Sequence, residues 1–86
     1  MFFVYILFSE VTKKYYVGQT NEMNQRLQRH NNGLVKSTKG GIPWTLIKTF
    51  SFKTRSEAVI METKIKKRGI KRFLSDLNAS LEQQNI

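Results

Sequence analysis

Apolar positions along the chain predict three β-strands. Met1–Phe8 is rich in aromatic and β-branched residues, and Tyr15–Thr20 repeats that character after the polar connection 9–14. Two such runs separated by a polar turn are typical of a β-hairpin. A third strand is predicted at about Thr45–Phe52, directly after Pro43-Trp44.

Three other segments carry the apolar spacing and the end signals of helices. Asn21 is predicted to cap the first helix, and Gly33 is suited to the left-handed conformation that ends it. Thr54 and Glu57 match the capping-box pattern for the second, and Gly69 separates it from the third. The predicted helices are Glu22 to about Asn31, Thr54 to Arg68, and Ile70 to about Leu81. The order β-β-α-β-α-α predicts a small α/β (α+β) domain.

The segment between the first helix and the third strand is basic and rich in turn formers. Leu34–Pro43 contains Lys36, Thr38 and Lys39, followed by Gly40-Gly41. These residue types predict a mobile loop with many hydrogen-bond donors for phosphate.

The charge balance favours an anionic partner. Fifteen Lys and Arg residues against six Asp and Glu residues give a formal charge of +9, which predicts salt-sensitive attraction to a polyanion. Nucleic acid is the leading partner. An anionic membrane surface is the competing one, but no run approaches the roughly 20 apolar residues of a spanning helix. The densest basic cluster is Lys64, Lys66, Lys67, Arg68, Lys71 and Arg72.

The 86 residues, of which 40% are hydrophobic, are enough for one domain with one modest core. The absence of cysteine excludes disulfides and thiolate metal sites, and the lone His30 excludes a multi-histidine site. Any metal must therefore be bound by oxygen. The apolar run Phe2–Phe8 lacks the features of a signal peptide, so we expect a reducing cytoplasm.

Glu62 stands at an unexpected place in the second predicted helix. Ala58, Met61 and Ile65 define its apolar stripe, and Glu62 lies about 40° from Ala58 at 100° per residue. An ionised carboxylate is costly there unless it meets a cation or opens into a cleft. Two interpretations stay open, a functional acid in a cleft or a boundary residue paired with a Lys or Arg.

Four other side chains have functional groups whose role the pattern alone leaves undecided, and one glycine between them is also unusual. Tyr5 and Tyr16 stand within predicted strands, where they are either packed aromatics or functional phenols. Gly18 weakens its strand and indicates a bend or a close approach of a ligand to the backbone. His30 lies on the apolar face of the first helix and Arg26 borders that face, where structural roles compete with catalytic ones.

The ordered set Phe3-Val4-Tyr5, Tyr16-Val17-Gly18, Arg26, His30 and Glu62 resembles the GIY-YIG nuclease family, in particular small stand-alone members similar to the N-terminal nuclease domain of the bacterial repair excinuclease. The resemblance covers Phe2 to about Arg72. Phe3-Val4 replaces Gly-Ile and Val17 replaces Ile, whereas both tyrosines and Gly18 remain. The family implies a GIY-YIG-like fold with a central three-stranded antiparallel sheet flanked by helices, and metal-dependent hydrolysis of phosphodiesters.

The resemblance also implies roles for the residues. Glu62 would bind a single Mg²⁺ or Mn²⁺ ion, with waters and phosphate oxygens completing the shell. Tyr5 would be the general base, its phenolate favoured by nearby cations, and Tyr16 would share that role. Arg26 would stabilise charge on the phosphate, and His30 would orient Tyr5 or hold the phosphate.

The function expected from the resemblance is an endonuclease acting on nucleic acid, on DNA rather than RNA, in repair or processing, with a possible protein partner that supplies specificity. The alternative is a basic nucleic-acid-binding module on a nuclease-like fold that does not cleave. The residues expected to contact the substrate are Gly18, Lys36, Thr38, Lys39, Lys64, Lys67 and Lys71.

Overall fold

A computed structural model describes residues 1–84 of the 86, and the side chains of residues 1–79. Its centre is a three-stranded antiparallel sheet in the order β2-β1-β3. The strands are β1 (Phe2–Ser9), β2 (Lys14–Thr20) and β3 (Trp44–Phe52). The first strand is therefore central, which explains why its apolar run is almost continuous and why residues 4–7 are at most 1% exposed.

Helices cover both faces of the sheet. They are α1 (Met23–Asn31), α2 (Arg55–Arg68) and α3 (Ile70–Gln84), with a 3₁₀ helix over Lys36–Gly41. The order β-β-α-β-α-α and the α+β fold class predicted from the sequence are confirmed. The third helix continues three residues beyond its predicted end at Leu81. Among the described residues, no helix has the length and apolar character needed to cross a bilayer.

Alternation along β1 divides the core into two clusters on opposite faces of the sheet. Val4 and Ile6 point toward α2 and α3, whereas Tyr5 and Leu7 point toward α1. The first cluster contains Val4, Ile6, Val17, Ala58, Ile65 and Phe73, and the second contains Tyr5, Leu7 and Trp44 with Tyr16, Met23, Leu27 and Ile42 packed against them. Tyr5 thus enters the core as a polar group that needs partners.

The helix ends confirm some of the predicted signals and correct others. The Thr54 hydroxyl accepts a hydrogen bond from the backbone N–H of Glu57 at 3.2 Å, as expected for the cap of α2. The Glu57 carboxylate, however, accepts from the Thr54 hydroxyl at 2.9 Å and not from the backbone. The cap predicted at Asn21 is wrong, because α1 begins at Met23 and the Thr20 hydroxyl accepts from the N–H of Glu22 at 3.1 Å.

Residues 36–41 of the segment after α1 form a 3₁₀ helix, so the prediction of a loop is wrong for these residues. Thr38 in its centre is only 1% exposed, and the indole N–H of Trp44 donates to the Thr38 carbonyl at 2.7 Å. Asn31 connects the end of α1 to the start of β3, since its side chain accepts from Trp44 N at 2.6 Å and donates to Trp44 O at 3.1 Å. Gly33, with φ of 74°, makes the turn between the two helices. These contacts tie the segment to the sheet.

Candidate active site

A cavity of about 420 Å³ lies along the β2 edge of the sheet and gathers most of the predicted catalytic residues. Its lining contains Tyr5 from β1, Tyr16 and Gly18 from β2, Arg26 from α1 and Glu62 from α2. Consecutive β2 residues of both faces line it, which places the cavity at the strand edge where the two sides of the sheet meet. The site residues that lie far apart in sequence therefore share one opening.

The position of Tyr5 depends on a glycine in the neighbouring strand. Tyr5 and Gly18 are directly opposite each other in the antiparallel pair. A Cβ atom added to Gly18 would lie 2.6 Å from the Tyr5 hydroxyl and 3.1 Å from the Tyr16 ring. The phenol of Tyr5 therefore lies across the Gly18 backbone. It occupies the space that a side chain at position 18 would take.

Substitution of Gly18 by alanine should displace Tyr5 and reduce any activity of this site by about 100-fold or more, because misplacement of a reacting group by roughly 1 Å has effects of that size. Gly40→Ala is the matched control, since a Cβ there meets nothing within 4 Å. Turnover and thermal unfolding of both variants are the measurements. Equal turnover by the two variants would show that the close approach of Tyr5 and Gly18 has no functional importance.

Tyr5 begins a chain of hydrogen bonds that leads away from the cavity. Its hydroxyl is 2.9 Å from Nε2 of His30, and Nδ1 of His30 is 2.8 Å from the Thr38 hydroxyl oxygen. Thr38 donates onward to the Val35 carbonyl at 3.3 Å. Because the Thr38 hydroxyl donates to that carbonyl, it accepts from Nδ1–H of His30, which leaves Nε2 free to accept the proton of Tyr5.

Protonation states follow from burial and from nearby charges. Burial of the Tyr5 hydroxyl raises its pKa above the usual range, and neighbouring Tyr16 and Glu62 raise it too, while the positive charge of Arg26 acts in the opposite direction. Burial also lowers the pKa of His30, together with Arg26 and Arg29 on the same helix. At neutral pH both shifts favour the uncharged forms, a phenol for Tyr5 and an imidazole for His30.

The groups around Tyr5 bear on its expected role as the general base. Burial, Tyr16 and Glu62 together raise the pKa of Tyr5 more than Arg26 lowers it, so Arg26 alone does not stabilise a phenolate. The fully buried His30 contacts Tyr5, and its hydrogen bonds to Tyr5 and Thr38 engage both ring nitrogens. Tyr5 therefore has a proton acceptor directly behind it.

Protonation of His30 should make the protein less stable as the pH falls. The unfolded chain takes up a proton near the usual histidine pKa of about 6.5, whereas folded His30 takes it up only at lower pH, so the free energy of unfolding decreases by at most about 1.4 kcal/mol per pH unit in that interval. Arg26 and Arg29 of α1, with Tyr5 and Tyr16 at the ring, are the groups that face His30. Denaturant unfolding of the parent and of His30→Gln between pH 5 and 8 measures this difference.

The ring signals of the lone histidine give an independent reading of the same group, because NMR follows its titration directly in the parent protein. A midpoint below the ordinary value is expected. A midpoint at or above about 6.5, or the same pH dependence of stability in His30→Gln, would contradict the buried neutral imidazole.

Glu62 combines the two positions considered for it. Its side chain is 15% exposed, lines the cavity, and lies 3.8 Å from the Lys66 ammonium at the next turn of α2. A pair this long with an exposed lysine is weak, so the carboxylate stays available to a stronger cation. Arg26, which is half-buried, shares the cavity with it.

The basic residues predicted to hold the substrate lie in different places. Thr38 is buried and held by His30, so its predicted phosphate contact is wrong. Lys36 and Lys39 are exposed on the 3₁₀ helix and do not line the cavity. Lys64 lies beside Val59 and Ile60 on another side of α2, whereas Lys67 and Lys71 line a second cavity next to the first.

Three polar residues of the cavity were not singled out as site residues from the sequence: Tyr15, Gln19 and Lys66. Lys66 belonged to the basic cluster, but nothing in the sequence favoured it over its neighbours in that cluster. Its spacing of four residues from Glu62 was the available signal, because residues at i and i+4 share a helix face. Gln19 and Tyr15 flank the Tyr16-Val17-Gly18 segment and enter the cavity because that strand forms its edge.

The donor set fits a hard divalent cation that takes few ligands from the protein. Among the described residues no three His, Cys, Asp or Glu side chains group together, and Glu62 is the carboxylate in the cavity. Mg²⁺ commonly binds through one or two carboxylates while keeping waters and taking phosphate oxygens from a substrate. A single partly exposed carboxylate in an open cavity suits that mode of binding.

The chain resembles known proteins in both sequence and structure. A family model of the GIY-YIG catalytic domain matches residues 1–73. The UPF0213 protein of Halobacterium salinarum is 43% identical over 53 residues, which are 60% of this chain and 69% of that protein. The solution NMR structure of a UPF0213 protein from Bacillus halodurans is similar with a TM-score of 0.54 at 30% identity, over 94% of this chain and 85% of that one. The matched residues 1–73 include every residue of the cavity.

Proposed function

Because the chain belongs to the GIY-YIG family of nucleases, we propose that it is a divalent-metal-dependent endonuclease that hydrolyses phosphodiester bonds of nucleic acid, DNA rather than RNA. The observation that supports the proposal most strongly is the shared cavity of Tyr5, Tyr16, Arg26 and Glu62. Two phenols, a guanidinium and one accessible carboxylate supply a base, charge stabilisation and a metal ligand for attack on phosphorus.

Tyr5 is the general base of the proposed reaction. A water molecule in the cavity gives a proton to the Tyr5 oxygen while the phenol proton passes to Nε2 of His30, so no free phenolate is needed. The attacking hydroxide equivalent forms the new P–O bond, and the bond to the leaving oxygen breaks with its electron pair on that oxygen, which takes up a proton from solvent water. His30 holds the proton between Tyr5 and Thr38 until the product leaves, and its lowered pKa favours return of that proton.

The site must also stabilise the negative charge that develops on the phosphate oxygens. Arg26 lines the cavity, and in the proposed reaction it donates hydrogen bonds to the phosphate oxygens, for which its planar fork is suited. Glu62 would hold the Mg²⁺ or Mn²⁺ ion, which when bound supplies Lewis-acid polarisation of the phosphate. Lys66, whose pair with Glu62 at 3.8 Å is weak, would then be free to contact the substrate. Tyr16 shares the cavity and positions the water or the phosphate.

The function is tested by a cleavage panel with the parent protein. Nicked, flapped, branched and blunt DNA substrates and the corresponding RNAs are incubated with Mg²⁺, Mn²⁺ or EDTA. The proposal predicts cleavage of at least one DNA substrate with metal and none with EDTA. Salt-sensitive binding without cleavage in either metal would instead identify a binding module on a nuclease-like fold. A role in repair or processing of DNA, and a partner that supplies specificity, are proposals that depend on which substrate is cut.

A further inference from the structure

A second, larger cavity of about 600 Å³ adjoins the proposed active site. It is a groove between the turn that joins β1 to β2 and the junction of α2 with α3. The turn contributes Lys13 and Lys14, and the helix junction contributes residues 66–72. Tyr15, Lys66 and Ile70 line both cavities, so the groove continues from the active site.

The groove is strongly basic. Seven of its lining side chains are Lys or Arg and none is acidic; they are Lys13, Lys14, Lys66, Lys67, Arg68, Lys71 and Arg72. Arg68 is engaged with Asp76 at 2.8 and 3.1 Å, an ion pair that fixes α3 against the end of α2. Among residues 1–79, Lys14, Lys67, Lys71 and Arg72 have no carboxylate within 4 Å. Four unpaired cations around one groove favour a polyanion as its occupant.

Tyr15 adds an aromatic ring at the boundary between the groove and the active site. Its ring is half-buried and packs against Phe8 with 4.8 Å between ring centroids, which holds it in one position. A fixed aromatic ring inside a basic groove is the combination that binds unpaired bases, because every base offers a face for stacking. Bases within a duplex are stacked on one another and offer no such face.

We propose that this groove binds a single-stranded segment of the substrate, with an unpaired base against Tyr15 and the adjoining phosphates held by the turn and the helix junction. The inference rests on the proposed function in one respect. The single-stranded segment is taken to run into the groove from the phosphate that reacts in the active site. The preferred substrate class is therefore nucleic acid with a single-stranded extension next to the cleaved bond. Blunt duplex has no segment that fits the groove.

Binding without cleavage tests the inference separately from the activity. Fluorescence anisotropy in EDTA measures the affinity of the full chain for a labelled single-stranded DNA, for the blunt duplex of that sequence, and for the duplex with a single-stranded extension. The groove variant is Lys14→Ala with Lys71→Ala. The control is Lys48→Ala with Lys53→Ala, which removes the same charge from the β3 side of the sheet and from outside the groove.

The groove variant should lose about 10-fold or more in affinity for the single strand and the extended duplex, and its salt slope on the single strand should fall by roughly 1.4, since each phosphate contact contributes about 0.7. Its affinity for blunt duplex should change no more than that of the control. Equal losses on all three probes, or equal losses in the control variant, would overturn the assignment.

Tyr15 is tested by two substitutions. Tyr15→Leu should weaken binding of the single strand by roughly 5- to 100-fold, the size measured for loss of base stacking, whereas Tyr15→Phe keeps the ring and should keep the affinity. Thermal unfolding shows whether each variant is folded. Undiminished single-strand affinity of folded Tyr15→Leu would contradict the stacking contact. Absence of cleavage in the presence of the expected binding pattern would refute the nuclease function and leave the groove assignment intact.

Discussion

Glu62→Gln should reduce metal-dependent cleavage by about 1,000-fold or more and leave binding of nucleic acid nearly unchanged. The substitution keeps the size of the side chain but removes the charge that attracts a divalent cation, whose contribution to such reactions amounts to several kcal/mol. Glu62 is a carboxylate of the cavity with only a weak partner in Lys66. Single-turnover cleavage and anisotropy in EDTA measure the two properties separately.

Glu57→Gln is the matched control for this change. It makes the same substitution on the same helix, at the cap and outside the cavity, where the neutral side chain can still accept from the Thr54 hydroxyl. Cleavage by this variant should be unchanged. Full activity in Glu62→Gln, or an equal loss in both variants, would contradict the assignment of Glu62 as the metal ligand.

Tyr5→Phe should lower the cleavage rate by about 100- to 10,000-fold, the range associated with loss of a general base. The ring remains over Gly18, so the shape of the site is kept and only the hydroxyl between the cavity and His30 is lost. The loss should appear in the rate under saturating protein and not in the affinity. Single-turnover rates at several protein concentrations separate the two quantities.

The pH dependence of cleavage distinguishes the proton relay from a phenolate base. Because the pKa of Tyr5 is raised, the parent should show no loss of rate attributable to protonation of Tyr5 as the pH falls through neutrality. The rate should instead fall only when His30 becomes protonated, below its ordinary pKa. A folded Tyr5→Phe protein with the parent rate would eliminate the phenol from the mechanism.

Stability provides the check that Tyr5→Phe is folded. Removal of the hydroxyl leaves Nε2 of buried His30 without a partner, a loss of roughly 1–3 kcal/mol in the free energy of unfolding. That cost lowers the midpoint of unfolding without abolishing the fold. Rates are therefore compared at a temperature where both proteins are folded.

Much of the site was predictable because it depends on local periodicity and on the family pattern. The 100° step of a helix placed Glu62 among Ala58 and Ile65, and the structure has both of these neighbours fully buried. Alternation along β1, a property of any strand, puts Tyr5 on the opposite face of the sheet from Val4 and Ile6. Such patterns extend over a few residues and are therefore contained in the sequence.

Other predictions were wrong because the structure they concern depends on contacts between residues far apart in the sequence. Lys36–Gly41 contains glycines and cations typical of a loop, yet Trp44 and His30 bind Thr38 from two other elements and hold the segment as a 3₁₀ helix. The substrate contact assigned to Thr38 failed for the same reason. The partners are present in the sequence, but their contact arises only in the tertiary fold, which local sequence patterns do not reveal.

The prediction of which lysines contact the substrate was limited in the same way. Lys64 was expected at the substrate surface, but it is two residues from Glu62 and therefore about 200° around α2, on a different side. Lys66, at four residues, shares the cavity. The groove could not be predicted at all, because its two walls, at Lys14 and at Lys71, come from segments separated by more than half of the chain.

A double-mutant cycle of single-turnover cleavage with Tyr5→Phe, Glu62→Gln and their combination tests most directly whether these residues serve one reaction in one cavity. Groups that act together in a single step are strongly non-additive, so the combined variant should cleave little slower than the slower of the two single variants. Losses that multiply, or substantial cleavage by either single variant, would mean that the phenol and the carboxylate do not act on the same phosphate.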